Sequence, residues 1–129
     1  MLTFVMASRC VIVKVTRGVD VDRRSGREGL RAALGVARGL EGHVVKLVFV
    51  GAGVSWLTVG FSGLQGEERA LWRALLTSET QLYACEVSLK KCEHGPPVGD
   101  ADAICDAIRR LDADALARLY EEATVELVY

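Results

Sequence analysis

Several features that would define a class of function are missing from this sequence. The 16 basic and 17 acidic residues leave a formal net charge of −1, which excludes the excess positive charge of a general nucleic-acid-binding protein. No apolar run approaches the roughly 20 residues of a membrane-spanning helix. No basic segment precedes the short apolar stretch at the N-terminus, as an export signal would require. These absences predict a cytoplasmic protein that binds neither nucleic acid nor a membrane.

Residues that bind metals or form disulfide bonds are also scarce. The sequence contains four cysteines, Cys10, Cys85, Cys92 and Cys105. They are widely spaced in a chain that is long enough to bury a core without disulfide bonds, so no disulfide framework is indicated. Cys92, Glu93 and His94 lack the Cys-x-x-Cys pair that is typical of structural zinc sites. We therefore expect free cysteines and no metal site.

Apolar residues, in contrast, are abundant. They make up half of the 129 residues, which excludes a disordered chain, and the length predicts a single domain over residues 1–129. Runs rich in β-branched and apolar residues predict strands at 10–16, 43–50, 80–84 and 124–129. Apolar residues at helical spacing predict helices at 25–42, 67–75, 86–94 and 112–123, with a short irregular helix at 56–59. Residues 103–108 fit either a strand or the start of another helix.

The order of these elements predicts an α/β fold. Ser25 and Glu28 fit a capping box that would begin the first helix, and Gly42 would end it. Strands that alternate with helices at this spacing indicate βαβ units, and therefore a mainly parallel sheet with helices on both faces. In such sheets, ligands and reactive groups collect at the carboxyl ends of the strands. Two segments with suitable chemistry follow predicted strands, Gly51–Val54 and Cys85.

Cys85 directly follows one predicted strand and directly precedes a predicted helix. This position places its sulfur near the positive end of a helix dipole, which favours the reactive thiolate. Lys90 and Lys91 would either add positive potential or lie in solvent. The alternative is a small buried residue, because free cysteine is among the most buried residue types. Cys92 stands about 10 Å from Cys85 along a continuous helix, so it would act as a second thiol only if that helix is short.

The segment Gly51–Val54 also allows two interpretations. Its glycines would let the backbone cradle a phosphate, although the sequence lacks the third glycine of a dinucleotide fingerprint and the lysine of a P-loop. A tight turn after a strand, which only small residues make easily, explains the same residues. The tight turn is the preferred interpretation.

Two further groups of residues suggest contacts with other chains. Arg23, Arg24 and Arg27 cluster at the start of the first helix, where they oppose its dipole. Such a cluster is either a solvated face or a docking site for an acidic partner. Trp56 and Phe61, in the least regular part of the sequence, would mark a contact between subunits.

The string LYACEVSLK at residues 82–90 resembles the segment around the active cysteine of the DsrE-like family of small sulfur-relay proteins, of the DsrE and TusD type. In that family an apolar strand ends at a cysteine, and a short helix follows with a hydroxyl residue, a leucine and a basic residue. Three further segments resemble the family: Thr16–Gly18 before an alanine-rich helix, the glycine loop Gly51–Val54, and residues 112–116 leading into the final TVELVY. The resemblance covers the chain from about residue 10 onward.

The resemblance implies a three-layer α/β/α sandwich with a mainly parallel five-stranded sheet, as in DsrEFH-like proteins. It implies that Cys85 accepts sulfane sulfur as a persulfide from a small sulfur-carrier protein and passes it on, which makes the protein a possible sulfurtransferase. It also implies assembly into homotrimers or hexamers, or with related subunits, and no metal or organic cofactor. Gly51, Gly53, Ser88 and Lys90 are the candidate binding residues around this cysteine, and Cys92 is a possible second thiol.

A function of a different class remains open. A non-catalytic oligomeric module of the same α/β fold would bind a small anionic ligand or a partner near Gly51–Val54. In that case Cys85 would be a structural residue.

Overall fold

The computed structural model describes residues 9–39, 42–59, 63–91 and 106–129. The strands are β1 (Cys10–Val15), β2 (Val44–Phe49), β3 (Gln81–Cys85), β4 (Ile108–Leu111) and β5 (Val125–Val128). The helices in these ranges are α1 (Arg23–Ala37), α2 (Ser55–Thr58), α3 (Gly66–Thr77), α4 (Glu86–Lys91) and α5 (Ala113–Glu121), and a 3₁₀ helix covers Gly51–Val54. Within these ranges, no helix has both the length and the apolar content that a membrane crossing requires.

The five strands form one sheet in the order β4-β3-β2-β1-β5, and every pair of neighbours is parallel. From β1 to β4, each successive strand is added on the same side of the one before it. The chain then crosses back over the sheet from β4 and places β5 on the other side of β1. Because crossovers between parallel strands are right-handed, this reversal places α5 on the opposite face from α1 and α3. The three-layer α/β/α sandwich with a five-stranded sheet is thus confirmed.

The first face of the sheet, covered by α1 and α3, holds the larger apolar cluster. Val13, Leu47 and Leu82 are neighbours across β1, β2 and β3, and all three are buried. Phe49 stacks on Trp72 of α3 with 5.5 Å between the ring centroids. Strands that are apolar on both faces, as the sequence shows for β1 and β2, suit a sheet that helices cover on both sides.

The second face of the sheet, covered by α5, has a smaller apolar cluster, and charged groups lie beside it. Its buried apolar members are Ile12, Val48, Tyr83, Cys85, Leu116 and Leu119. Lys46 is buried on this face, and its Nζ lies 2.7 Å from the Glu122 carboxylate at the end of α5. Burial alone would lower the pKa of Lys46, but the hydrogen bond to Glu122 and the electrostatic attraction of Cys10, Glu122 and Tyr83 together outweigh it, so the pKa lies above its ordinary value. The ion pair therefore lets a lysine occupy a buried strand position.

The boundaries of α1 differ from those that the sequence predicts. Asp22, rather than Ser25, is the N-cap: its carboxylate accepts hydrogen bonds from the Ser25 backbone N–H at 3.0 Å and from the Ser25 hydroxyl at 2.8 Å. The helix therefore begins at Arg23. It ends at Ala37, well before Gly42, because the Arg38 and Gly39 N–H groups close the last turn on Leu34 and Val36 carbonyls.

Smaller differences concern the chain around β3 and β4. Cys85 belongs to β3 itself, as the last residue of the strand. Of the segment 103–108, which fitted either a strand or a helix, residues 103–105 lie outside the described ranges, Asp106 and Ala107 have helical geometry, and Ile108 begins β4. Asp112 caps the next helix as the sequence predicts, and its carboxylate accepts a hydrogen bond from the Ala115 N–H at 2.8 Å. The predicted helix over 86–94 is observed as far as Lys91, and its remaining residues lie outside the described ranges.

The arginines at the start of α1 form ion pairs within the protein. Arg23 donates from Nε and from an Nη atom to the Glu68 carboxylate at 2.7 and 2.8 Å, and Glu68 is fully buried. Arg27 lies 3.5 Å from Glu67 and 4.0 Å from Glu68. A solvated face or a docking site for an acidic partner is therefore wrong for Arg23 and Arg27, because carboxylates of α3 already compensate their charges. Arg24 is exposed.

Trp56 of α2 also packs inside its own chain. It is buried, and its Nε1–H donates a hydrogen bond to the Arg17 carbonyl at 3.1 Å. The Arg23 guanidinium lies 5.9 Å from its ring centroid. The expected contact with another subunit is therefore wrong for Trp56, and Phe61 lies outside the described residues.

The Asp22 cap makes the stability of α1 depend on pH. Hydrogen bonds from Ser25, first from its backbone N–H, and the ion pair with Arg17 lower the pKa of Asp22 from 3.8 to about 2. Because the folded-state pKa is lower, the stabilisation is complete above pH 3.8 and is lost as the pH falls towards about 2. We expect Asp22→Asn, which keeps a capping oxygen, to lose this part of the pH dependence. Denaturant titrations of both proteins across this range test it, and parallel pH profiles would contradict it.

Candidate functional site

Cys85 lies at the carboxyl edge of the sheet. Its backbone pairs with Leu111 of β4, and α4 begins at the next residue. The side chain lies on the second face, in the apolar cluster that includes Leu116 and Leu119 of α5. Cys85 is 8% exposed. The thiol is therefore held in apolar surroundings, in a residue with little exposed surface.

A tyrosine and a lysine border the cluster that contains Cys85. Tyr120 of α5 packs against this cluster. The Lys14 Nζ lies 3.9 Å from the centroid of the Tyr120 ring and 2.5 Å from the Glu126 carboxylate. Burial raises the pKa of the Tyr120 phenol, and interactions with Cys85 and Glu126 raise it further. The phenol therefore stays protonated at neutral pH and is a hydrogen-bond donor beside the apolar cluster that contains Cys85.

The two cysteines in the described ranges lie at opposite ends of the parallel strands. Cys10 is the first residue of β1, at the amino edge, whereas Cys85 is the last residue of β3. Both are free thiols, and Cys10 is only half-buried rather than in the core. Cys92 and Cys105 lie outside the described residues. Because Cys10 and Cys85 lie at different edges, Cys10 is a suitable reference thiol for Cys85.

Three segments that follow β1, β2 and β3 line an open cavity of about 490 Å³, here called the edge cavity. Its walls are residues 18–21, the 3₁₀ helix with the start of α2, and α4. The side chains that shape it are Asp20, Val21, Ser55, Val87, Ser88 and Lys91. This volume falls within the range of about 300–1,000 Å³ that is usual for small-molecule sites. Cys85 does not line the edge cavity.

Hydrogen bonds inside the protein already occupy the backbone amides of the glycine turn. The Gly51 N–H donates to the Ser88 hydroxyl at 2.9 Å, and the Gly53 N–H donates to the Val50 carbonyl at 3.1 Å. The Val19 N–H likewise donates to the Ser55 hydroxyl at 2.9 Å. Gly51 has a φ of 60°, the left-handed conformation that favours glycine. The segment therefore serves as a tight turn, and its glycine amides are not free to cradle a phosphate.

The structure separates the residues that the sequence singles out as binding candidates. Gly51 and Ser88 line the edge cavity together. Gly53 instead packs on the end of β1, where an added Cβ would lie 2.0 Å from the Val15 carbonyl oxygen. Lys90 lies outside the cavity and approaches Glu86 at 3.7 Å.

The lysine in the edge cavity is Lys91, which the sequence suggests as a source of positive potential but not as a binding residue. Ser88 and Lys91 are three positions apart on α4, so they share a helix face, and this spacing was the available signal. Val87 lies beside them in the wall. Asp20 and Val21 come from a loop that carries no motif, so only the folded chain shows their place.

Comparison with known proteins supports the fold. The sequence matches no protein-family model and no curated protein. The structure is similar to the crystal structure of the ychN protein from E. coli, with a TM-score of 0.72. The alignment covers 95% of this chain and 100% of that chain at 14% sequence identity. At this identity the similarity establishes a shared fold.

Proposed function

We propose that this protein relays sulfur, with the Cys85 thiol accepting a sulfane sulfur atom as a persulfide and passing it to a second protein. The position of Cys85 carries the proposal. It is a free thiol at the carboxyl end of a parallel strand and directly before a helix. Residues 82–90 resemble the active-cysteine segment of DsrE-like proteins in this same order. The fold shared with the ychN protein is compatible with that resemblance.

The transfer needs no oxidant beyond the donor itself. The Cys85 sulfur attacks the outer sulfur of a donor persulfide, R–S–SH, so that one S–S bond forms while the donor's S–S bond breaks. The donor leaves as a thiolate and takes up the proton that Cys85 releases. The products are the Cys85 persulfide and the donor thiol, R–SH. We propose that the donor is a small sulfur-carrier protein, and the reverse exchange passes the sulfur to an acceptor thiol.

The surroundings of Cys85 suit a protected intermediate. A persulfide in an apolar cluster meets little water and few other thiols, which slows its loss to solution reductants. The protonated phenol of Tyr120 at the border of that cluster supplies a hydrogen-bond donor. The small exposed fraction of Cys85 limits entry to donors that present a slim, sulfur-bearing end.

Loading with glutathione persulfide tests the proposal. We expect the intact mass to rise by about 32 Da, one sulfur atom, and to return to its starting value with dithiothreitol. We expect Cys85→Ser to lose this gain and Cys10→Ser to keep it, since Cys10 lies at the opposite edge of the sheet. Circular dichroism spectra check that both variants fold.

Two outcomes would overturn the relay. The first is a wild-type protein that gains no sulfur. The second is a folded Cys85→Ser variant that gains as much sulfur as the wild type, because the sulfur would then be carried by another residue.

A further inference from the structure

We propose that the edge cavity is a binding site for a small monocarboxylate with an apolar body. The site is distinct from the thiol, because Cys85 does not line this cavity. The proposal therefore does not depend on sulfur relay. It rests on the charges, the hydroxyl groups and the exposed valines of the cavity wall.

The edge cavity contains a lysine that can pair with an anion. Lys91 lines the cavity and forms no ion pair with any residue in the described ranges. Asp20, also in the wall, attracts the Arg23 guanidinium, but that guanidinium is already paired with the buried Glu68 carboxylate. The Lys91 ammonium is therefore the group in this wall that would pair with a ligand carboxylate, and one ammonium suits one carboxylate.

Two hydroxyl groups add donors to the same wall. Ser55 and Ser88 each accept a backbone N–H, at 2.9 Å in both cases. Neither donates its own proton to a group in the described ranges, so both hydroxyl protons are free to bond a ligand oxygen. Lys91 and the two serines together supply donors to the two oxygens of a carboxylate.

The apolar part of the ligand follows from two valines. Among the described residues, the large hydrophobic side chains with substantial exposure include Val21, at 88%, and Val87, at 46%. Both line the edge cavity. An apolar body that covers these side chains would remove this surface from water, which contributes roughly 25 cal/mol for each Å² covered. Inorganic phosphate offers no such contact, and the glycine amides that would bind it are already occupied.

Isothermal titration calorimetry with hexanoate tests the site on the full-length protein. We expect hexanoate to bind, and we expect inorganic phosphate, 1-hexanol and hexylamine to bind at least about fivefold more weakly, because each lacks the charge or the apolar body. We expect Lys91→Gln to weaken hexanoate binding about fivefold. Lys90→Gln, with the same change of charge at the neighbouring position outside the cavity, should leave it unchanged.

Val21→Ser removes an exposed apolar contact and should weaken hexanoate binding while leaving the fold intact. Cys85→Ser should bind hexanoate as the wild type does, so a failed relay and a failed cavity site are distinguishable. Binding of 1-hexanol as tight as that of hexanoate would overturn the role of charge. Absence of hexanoate binding, or equal loss in the Lys90 and Lys91 variants, would overturn the site.

Discussion

Replacing Glu68 by alanine is expected to lower the free energy of unfolding by about 3–4 kcal/mol. The Glu68 side chain has no exposed surface and accepts three hydrogen bonds: two from Arg23, at 2.7 and 2.8 Å, and one from the Gln65 N–H at 2.7 Å. Alanine would leave the Arg23 charge unpaired and the start of α3 uncapped, and would open a cavity between α1 and α3. It would also remove a carboxylate that lies 4.0 Å from the buried Arg27 Nε, an atom without a hydrogen-bond partner among the described residues.

Glu67→Ala is the matched control for this loss, because it makes the same change of charge at the adjacent residue. Glu67 pairs with Arg27 and Arg31, but its side chain is half exposed. Exposed ion pairs contribute little, so we expect a loss below about 1 kcal/mol. Urea titrations measure both variants. Equal losses at the two positions would show that burial of the Glu68 carboxylate does not decide its contribution.

Gly53→Ala is expected to destabilise the fold by about 3 kcal/mol. The added Cβ would lie 2.0 Å from the Val15 carbonyl oxygen and 2.6 Å from its carbon, and backbone atoms cannot move aside as a flexible side chain would. The 3₁₀ helix would have to shift away from β1. That shift would strain the hydrogen bond from the Val50 N–H to the Val15 carbonyl, which is 3.1 Å long.

Gly35→Ala is the control for this substitution. Gly35 lies in α1, is exposed, and has no atom within 4 Å of an added Cβ. Alanine in an open helical position should stabilise the protein by about 0.5–1 kcal/mol. Thermal and urea denaturation of the two variants should therefore move in opposite directions. A Gly53→Ala variant as stable as the wild type would contradict the close approach of the 3₁₀ helix to β1.

Much of the fold follows from local patterns in the sequence. The apolar runs around Val13, Leu47 and Val125 could be recognised as strands because their β-branched residues suit a covered sheet, and the spacing around Leu30 shows a helix face. The start of α1 was misplaced because Asp22 and Ser25 both offer capping groups. The geometry decides between them, since the Asp22 carboxylate receives both the Ser25 amide and its hydroxyl.

Long-range pairings could not be predicted in this way. Arg23 and Glu68 are 45 positions apart, so their ion pair depends on how α1 and α3 pack. The strand order has no signature in the sequence, yet it brings three separate segments together around the edge cavity. The predicted strand-end position of Cys85 agrees with the structure, but its placement on the second face follows from the register of β3.

The most direct test of the relay is to locate the added sulfur within the wild-type protein. After loading with glutathione persulfide and alkylation of the persulfides, peptide mass spectrometry compares all four cysteines in one sample. The relay predicts that the extra sulfur of about 32 Da lies on the peptide that contains Cys85. Extra sulfur confined to peptides that contain Cys10, Cys92 or Cys105, with Cys85 unmodified, would contradict it.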